Sequence, residues 1–304
     1  MDYVLETKDL SKHYKTTKAL DHLTMRVEKG AIYGFVGRNG AGKTTLIRLV
    51  CGLQRPTGGA FTLYGCPGSS REISQARRRM GAVVETPSIY LSMTAAENLR
   101  QQYQVLGLPS YEGLGELLEL VGLQNTGKKK AKDFSLGMRQ RLGIAVALAG
   151  DPDLLILDEP ANGLDPQGIV EIRELILRLN RERQITVLIS SHILDELSRL
   201  ATHYGFIDGG RMVQEISAKD LEASCRKCTR LTVSDTRPLA AVLDKMGLTY
   251  TVRSDTEADV YGTSSVTELT LALHGAGCEV KTIHEHDESL ESYFMNLVGG
   301  GGDA

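Results

Sequence analysis

The chain of 304 residues is long enough for one domain of ordinary enzyme size and a smaller second domain. Hydrophobic residues make up 41% and charged residues 24% of it, which excludes a disordered, collagen-like or coiled-coil protein. A formal net charge of −3 disfavours a protein that mainly neutralises phosphate backbones, so we expect no nucleic-acid partner.

The sequence pattern favours a cytoplasmic protein. No apolar run approaches the ~18 residues that are needed to cross a bilayer. The first ten residues carry Asp2, Glu6, Lys8 and Asp9, where a secretory signal would need an apolar segment.

The five cysteines are an odd number spread over a long chain, which does not fit a disulfide framework. Cys225 and Cys228 have half the spacing of a zinc site, and His284 and His286 could supply nitrogen ligands. No second Cys-x-x-Cys pair accompanies them, so two reduced thiols in a linker are the favoured interpretation.

The N-terminal pattern predicts three strands and a helix. Residues 3–10 and 23–28 alternate apolar and polar side chains, which predicts strands with one solvated face. Residues 31–36 predict a buried strand that runs directly into a glycine-rich turn. The apolar stripe after the turn predicts a helix over 43–51.

Residues 92–150 predict a helical subdomain, because three amphipathic segments are separated by breaks that carry glycine or proline. Strand character then returns on either side of one amphipathic helix, which is βαβ patterning and implies a parallel sheet. The predicted helices of the subdomain cover 95–106, 114–121 and 136–149. The βαβ unit has strands over 154–157 and 186–190 and a helix over 169–179.

The character of the sequence changes after about residue 216. The elements that follow have the order βαββαβ, which resembles a ferredoxin-like unit, and a last helix comes after them. We therefore expect domains at 1–216 and 217–298, the second a small accessory α+β domain, and a flexible glycine-rich tail at 299–304. The predicted strands cover 231–233, 250–253, 258–261 and 279–283, and the helices 239–246, 266–275 and 290–297.

The turn after the strand over 31–36 fits a phosphate-binding loop. Its glycines let backbone N–H groups point at phosphate oxygens, and the N-terminus of the next helix adds partial positive charge. Lys43 supplies a charge for the β- and γ-phosphates, and Thr44 offers a hydroxyl to Mg²⁺. A glycine-rich turn that precedes Lys-Thr by chance is the alternative. The residues expected to bind ATP here are Gly37, Arg38, Asn39, Gly40, Ala41, Gly42, Lys43, Thr44 and Thr45.

A buried apolar strand over 154–157 ends in two adjacent carboxylates, Asp158 and Glu159. Carboxylates at such a place are costly unless a cation or a reaction uses them. Successive side chains of a strand point in opposite directions, so the two can serve different partners. We assign Asp158 to Mg²⁺, through a water molecule, and Glu159 to orienting or deprotonating the attacking water. An N-capping acid pair in a turn is the alternative.

Three further motifs narrow the class of nucleotide-binding protein. They are residues 134–142 at a predicted helix start, residues 161–165 after Glu159, and the sequence Ser190-Ser191-His192 at the end of the next strand. With them, residues 3–210 closely resemble the ATP-binding subunit of an ABC transporter. The resemblance implies an α/β P-loop NTPase fold of the ABC ATPase type, with a mixed sheet core and a helical subdomain.

The resemblance also implies roles for residues. His192 would be the switch histidine and would act as a catalytic residue together with Glu159. Asp165 would lie in the D-loop, which is one of the coupling loops. Tyr14 would stack on adenine, although a lone tyrosine is more often part of a core. Two chains would form a head-to-tail homodimer with each ATP between the phosphate loop of one chain and the signature of the other. That signature, which acts in trans, is Ser135, Leu136, Gly137 and Met138.

The chain departs from the common family pattern at three positions. Leu136 and Met138 replace a glycine and a glutamine of the commonest signature. Glu85 stands in the coupling loop at the position where the family usually has a glutamine. This replacement places an acid near Mg²⁺, which makes Glu85 a candidate ligand and leaves open whether the loop coordinates the ion directly.

These departures and the C-terminal extension resemble the ATPases of bacitracin-resistance and lantibiotic-immunity exporters. The resemblance implies that the protein powers the export of a peptide antibiotic through a separate permease at the inner face of the cell membrane. A soluble ABC ATPase of translation or DNA repair is the alternative. Members of the first kind carry two cassettes and members of the second a long coiled coil, and this sequence shows neither.

Overall fold

The computed structural model describes residues 2–224, 227–261, 265–287, 293–295 and 297. The chain divides into two compact units, Met1–Ala218 and Lys219–Ala304. None of the helices in these described ranges is both long and apolar enough to cross a membrane.

The first unit contains two sheets. Its strands are β1 (Tyr3–Tyr14), β2 (Thr17–Glu28), β3 (Ile32–Val36), β4 (Gly58–Leu63), β5 (Cys66–Pro67), β6 (Met80–Val83), β7 (Leu154–Asp158), β8 (Thr186–Ser191), β9 (His203–Asp208) and β10 (Arg211–Ser217). Strands β2-β1-β4-β5 form an antiparallel sheet in that order. The other sheet has the order β10-β9-β3-β8-β7-β6.

The six-stranded sheet is parallel from β6 to β9, and only β10 is antiparallel. This confirms the parallel sheet that the βαβ pattern predicted. Every residue of β3, β7 and β8 is buried, which explains why apolar residues predominate in β3 and β7 and in the middle of β8. Because the strands are parallel, Val36 pairs with Ser191 and Asp158 pairs with Ser190, and the polar residues that end β7 and β8 lie at the same edge as the loop after β3.

Seven helices of this unit surround or extend the sheets. They are α1 (Lys43–Val50), α2 (Ile73–Arg77), α3 (Ala95–Leu106), α4 (Leu114–Leu120), α5 (Leu136–Leu148), α6 (Pro166–Arg183) and α7 (Leu194–Ser198), and 3₁₀ turns lie at Gln124–Thr126 and Ala131–Asp133. The core packs the buried side chains of α1 with residues of both sheets, among them Leu23 of β2 and Leu154 of β7. Helix α1, and with it the loop that leads into it, is therefore held on two sides.

Helices α3 and α5 begin at the predicted residues, whereas α6 begins three residues before its predicted start at 169. Thr94 caps α3 by accepting a hydrogen bond from the Glu97 N–H, and the Glu97 carboxylate accepts one from the Thr94 N–H. Gly107 ends the same helix in the left-handed conformation. Helix α5 begins directly after its N-cap, Ser135.

The second unit has the predicted βαββαβ order, preceded by a short helix. Its elements are α8 (Ala218–Ser224), β11 (Lys227–Val233), α9 (Thr236–Met246), β12 (Thr249–Val252), β13 (Glu257–Tyr261), α10 (Val266–Gly275) and β14 (Val280–Asp287). The sheet order is β12-β13-β11-β14 with every pair antiparallel, which is the ferredoxin-like arrangement. Residues such as Leu231, Leu243 and Leu269 form its own apolar core. Half of the predicted helix over 290–297, and the tail at 299–304, lie outside the described residues.

Candidate functional site

The loop between β3 and α1 has a conformation that requires glycine. Gly40 and Gly42 have φ values of 83° and 111°, which other residues rarely adopt. A Cβ atom on Gly42 would lie 2.4 Å from the Ala19 carbonyl oxygen, and one on Gly37 would lie 2.5 Å from that of Ile207. Backbone therefore presses on the buried side of the loop. Its other side borders a pocket of about 170 Å³, lined by Asn39, Gly40, Gly42, Lys43, Thr44, Glu159 and Asn162.

Lys43 extends its charge into this loop. The residue is only 5% exposed, and its Nζ donates hydrogen bonds to the carbonyl oxygens of Gly37 at 2.6 Å and Arg38 at 3.3 Å. The same Nζ lies 3.1 Å from Oε1 of Glu159. The predicted phosphate-binding lysine and the predicted catalytic carboxylate are thus direct neighbours.

Asp158 is the last residue of β7 and is 1% exposed. Ser190 Oγ donates a hydrogen bond of 2.6 Å to Asp158 Oδ1. The other oxygen, Oδ2, is buried and has no hydrogen-bond partner within the part of the chain that the structure describes. A buried carboxylate oxygen without a partner is costly, so a cation ligand fits this position. Thr44, the other predicted ligand, lines the pocket with its side chain half-buried.

Glu159 follows the strand but does not continue it. Its φ of 50° is in the left-handed region, and its N–H is held by Ser190 through the carbonyl oxygen at 3.2 Å and Oγ at 3.0 Å. The turn, rather than strand alternation alone, separates its carboxylate from that of Asp158. Glu159 Oε2 lies 2.7 Å from Nδ1 of His192, so the two predicted catalytic residues are in contact.

Sequence reasoning gave no role to three residues of this site, although two of them, Ser190 and Asn162, belong to motifs that it identified. Ser190 binds the carboxylate of Asp158 and the backbone N–H of Glu159, and Asn162 lines the pocket. Glu196 of α7 lies close enough to Glu159 and His192 to interact with them electrostatically. Burial raises the pKa of Glu196, the negative charge of Glu159 raises it further, and His192 opposes both. The polar end of an apolar strand is a signal that could have identified Ser190. Glu196 carries no signal except its place four residues after His192.

The predicted signature is at the surface and outside this pocket. Ser135 caps α5, its Oγ accepting a hydrogen bond of 3.2 Å from the Met138 N–H. Leu136 is 46% exposed and its side chain packs beside Gly163 of the D-loop. Because Ser135 and Leu136 are exposed, the N-terminus of α5, which carries the positive end of the helix dipole, faces solvent.

Other predicted site residues have local partners and do not line the pocket. Asp165 is the N-cap of α6 and accepts a hydrogen bond from the Gly168 N–H at 3.0 Å. Tyr14, 38% exposed at the end of β1, donates its hydroxyl hydrogen to the Gln54 side chain. Glu85 forms an exposed ion pair with Arg48 of α1.

The zinc hypothesis has little support. Cys225 lies outside the described residues, and those that the structure covers contain no group of three or more His, Cys, Asp or Glu side chains that could hold a metal ion. The prediction that this cysteine pair lies in a linker is wrong for Cys228, which belongs to a strand, residues Lys227–Val233, and is buried. Burial raises the pKa of its thiol.

Comparison with known proteins identifies the family. The ABC transporter family model matches residues 20–162. The chain is 42% identical over 304 residues to the bacitracin transport ATP-binding protein BcrA of Bacillus licheniformis, and the alignment covers 99% of both proteins. The chain belongs to the ATP-binding proteins of ABC transporters. ATP hydrolysis, the activity of this ABC ATPase family, is therefore its activity.

Two further proteins match about 70% of this chain and most of their own length. The lantibiotic transport ATP-binding protein SrtF of Streptococcus pyogenes is 42% identical over 212 residues, which cover 70% of this chain and 90% of the relative. The structure of cbiO1 from Clostridium perfringens, part of the ABC transporter complex cbiONQ, matches with a TM-score of 0.66 and 27% identity over 73% of this chain and 92% of that one. The predicted ABC ATPase fold is thereby confirmed.

Proposed function

We propose that this ABC ATPase is the energising subunit of an exporter that removes a peptide antibiotic of the bacitracin or lantibiotic kind. One observation carries the proposal: the similarity to the bacitracin transport protein extends through the second unit as well as the ABC cassette. The lantibiotic transport relative matches a shorter stretch with equal identity. Both relatives are named for the transport of antimicrobial peptides, and no observation in the structure favours translation or DNA repair.

Mg²⁺ is the second proposed cofactor, and Thr44 and Asp158 are the residues that would hold it. Asp158 is suited to this role because Ser190 fixes one carboxylate oxygen and leaves the other without a hydrogen-bond partner among the described residues. When bound, the ion would neutralise charge on the β- and γ-phosphates. Glu85 is not assigned to the ion, because its carboxylate pairs with Arg48 instead.

We propose that nucleotide binding and the catalytic carboxylate are coupled through Lys43. Phosphate oxygens carry more charge than the loop carbonyls to which Lys43 donates, so ATP attracts the ammonium group and weakens its pairing with Glu159. Glu159 can then orient the attacking water and accept its proton. His192, in contact with the other carboxylate oxygen, holds Glu159 in place for this step.

The proposed working form is a homodimer with two composite sites. Ser135 and Leu136 are exposed at the positive end of α5, and neither lines the pocket beside Lys43. An anion site that the chain does not use for its own nucleotide fits the γ-phosphate held by a second copy. This supports the predicted action of residues 135–138 in trans.

A separate permease is the proposed membrane partner, and it would hold the protein at the cytoplasmic face of the membrane. A groove of about 450 Å³ lies between the segment 87–90 and helices α3 and α5. Tyr90 and Val105, both lining it, are 54% and 68% exposed. Exposed apolar side chains beside a groove support docking of an apolar segment of another protein.

The export proposal is tested by resistance. A sensitive host receives this gene with the gene of its permease, and growth is measured against a panel of cell-wall-directed peptides. We expect resistance to at least one peptide, and loss of that resistance with Glu159→Gln. Unchanged sensitivity to every peptide of the panel, or equal resistance with the Glu159→Gln variant, would contradict the export proposal. Neither outcome would contradict the conclusion that the protein is an ATPase.

A further inference from the structure

The buried side of the phosphate loop is hydrogen-bonded to a distant turn. Gly210, between β9 and β10, donates its N–H to the carbonyl oxygen of Ala41 at 3.0 Å. The carbonyl oxygen of Gly210 in turn accepts the N–H of Asp21 on β2 at 2.9 Å. Neither Ala41 nor Gly210 lines the pocket. The loop is therefore supported from β2 through the turn that contains Gly210.

The side chain of Asp21 holds the residue that follows Gly210, which is Arg211, the first residue of β10. Asp21 is 5% exposed, and its Oδ2 accepts hydrogen bonds from Nε and Nη2 of Arg211 at 2.9 and 2.6 Å. Its Oδ1 lies 2.8 Å from Nδ1 of His22, and Lys18 Nζ is 3.7 Å from Oδ2. The pKa of Asp21 is lowered to about 2, chiefly by the hydrogen bonds from Arg211 and to a smaller extent by the one with His22. The carboxylate is therefore ionised at neutral pH.

The geometry of the peptide bond connects this contact to the nucleotide site. The carbonyl of Ala41 and the N–H of Gly42 belong to one planar trans peptide group, in which they point in opposite directions. When Gly210 fixes the carbonyl, it also fixes the Gly42 N–H, which must point away from Gly210. Gly42 borders the pocket, so its amide is available to a phosphate there.

We propose that Asp21 and Arg211 are positioning residues for ATP binding: their ion pair holds Gly210 against Ala41 and thereby aims the Gly42 amide at the phosphates of the nucleotide. The inference rests on the assignment of residues 37–45 to ATP. It predicts an equal loss of affinity for ATP and ADP, because the amide would contact a phosphate common to both.

The test measures dissociation constants of fluorescent ATP and ADP analogues with the full chain. Asp21→Asn and Arg211→Gln are each expected to weaken both nucleotides about tenfold, and the double variant no more than either single one. Asp153→Asn is the matched control, because Asp153 makes the same kinds of contact as Asp21. Nε and Nη2 of Arg79 lie 2.7 and 2.6 Å from Asp153 Oδ2, and the Asp153 N–H donates a hydrogen bond to the carbonyl oxygen of Arg79. We expect its affinities within about twofold of the wild type.

Two measurements separate positioning from general stabilisation. Amide hydrogen exchange should become faster at 41–43 in Asp21→Asn and remain unchanged at 154–157. Arg211→Lys, which keeps the charge with fewer donors, should give an intermediate affinity if Asp21→Asn fails to fold. Affinities equal to those of the control, or a lowered melting temperature without a change in affinity, would overturn the proposal.

Lys43→Ala distinguishes this inference from the assignment on which it rests. If that variant binds nucleotide like the wild type, the loop is not the ATP site and both proposals are wrong. If it loses affinity while Asp21→Asn does not, only the positioning role is rejected.

Discussion

Glu159 and His192 are in direct contact, with Oε2 of the carboxylate 2.7 Å from Nδ1 of the ring, although they are 33 positions apart in the chain. The other oxygen of Glu159 contacts Lys43 at 3.1 Å. One carboxylate thus joins the phosphate loop to the end of β8. Any nucleotide that draws Lys43 towards its phosphates changes the surroundings of the group proposed to activate water.

The first prediction concerns Glu159→Gln. The amide keeps the shape of the side chain but cannot accept a proton, so we expect hydrolysis to fall by about 10²–10⁴-fold while nucleotide affinity stays within a few-fold. ATP should then trap a stable dimer. Single-turnover hydrolysis and sizing chromatography measure the two effects. A variant that stays monomeric with its nucleotide site saturated would contradict the dimer proposal.

A second prediction compares two acidic residues as magnesium ligands. Asp158→Asn removes the charge of a carboxylate whose Oδ2 has no hydrogen-bond partner among the described residues, so half-maximal hydrolysis should need at least about tenfold more Mg²⁺. Glu85→Gln removes an exposed ion pair with Arg48 and should leave the Mg²⁺ titration within about twofold of the wild type. The measurement is the ATPase rate against free Mg²⁺ at saturating ATP.

The reverse order of effects would be informative. If Glu85→Gln shifts the titration and Asp158→Asn does not, the loop after β6 reaches the nucleotide, as the family resemblance suggests for its usual glutamine. The ion pair with Arg48 would then not represent the nucleotide-bound arrangement.

The sequence predicts those parts of the site that depend on local pattern. Residues 37–45, proposed to bind phosphate, are predictable because they follow an apolar strand that is buried in a parallel sheet, and Asp158 is predictable because it ends another such strand. Helix α3 is predictable to its last residue because Thr94 and Gly107 cap it.

Contacts between distant residues were not predictable in the same way. Arg211 and Asp21 are separated by 190 positions, and neither belongs to a recognisable motif. Strand β6 was missed because four residues are too few to show alternation, and β9 because Gly205 and the polar residues at its ends interrupt the apolar pattern. These strands form hydrogen bonds that only the assembled sheet makes favourable.

A third prediction concerns acid stability. The N–H of Thr94 and then the Lys130 ammonium lower the pKa of Glu97 from 4.5 to about 2, so the folded state favours the ionised carboxylate. This stabilisation is fully present above the unfolded pKa and is lost as the pH falls from about 4.5 towards 2. Glu97→Gln should therefore unfold more easily than the wild type at pH 6, and the difference should shrink near pH 3.

Chemical denaturation at a series of pH values measures this difference. Glu119→Gln, at an exposed position of α4, is the control for loss of one carboxylate. If Glu97→Gln and the control show the same dependence on pH, the capping box makes no electrostatic contribution to stability.

The last prediction tests whether the signature acts on the nucleotide of a second chain. Aspartate caps helices as well as serine does, so Ser135→Asp should preserve α5 and place a negative charge where the γ-phosphate of the partner would lie. In a Glu159→Gln background this variant should bind ATP within about twofold and fail to form the trapped dimer. Ser265→Asp changes another N-cap serine, that of α10 in the second unit, and should dimerise normally. Persistent dimers of the Ser135→Asp protein would exclude the proposed contact. A loss of ATP affinity in the monomer would instead mean that Ser135 acts within its own chain.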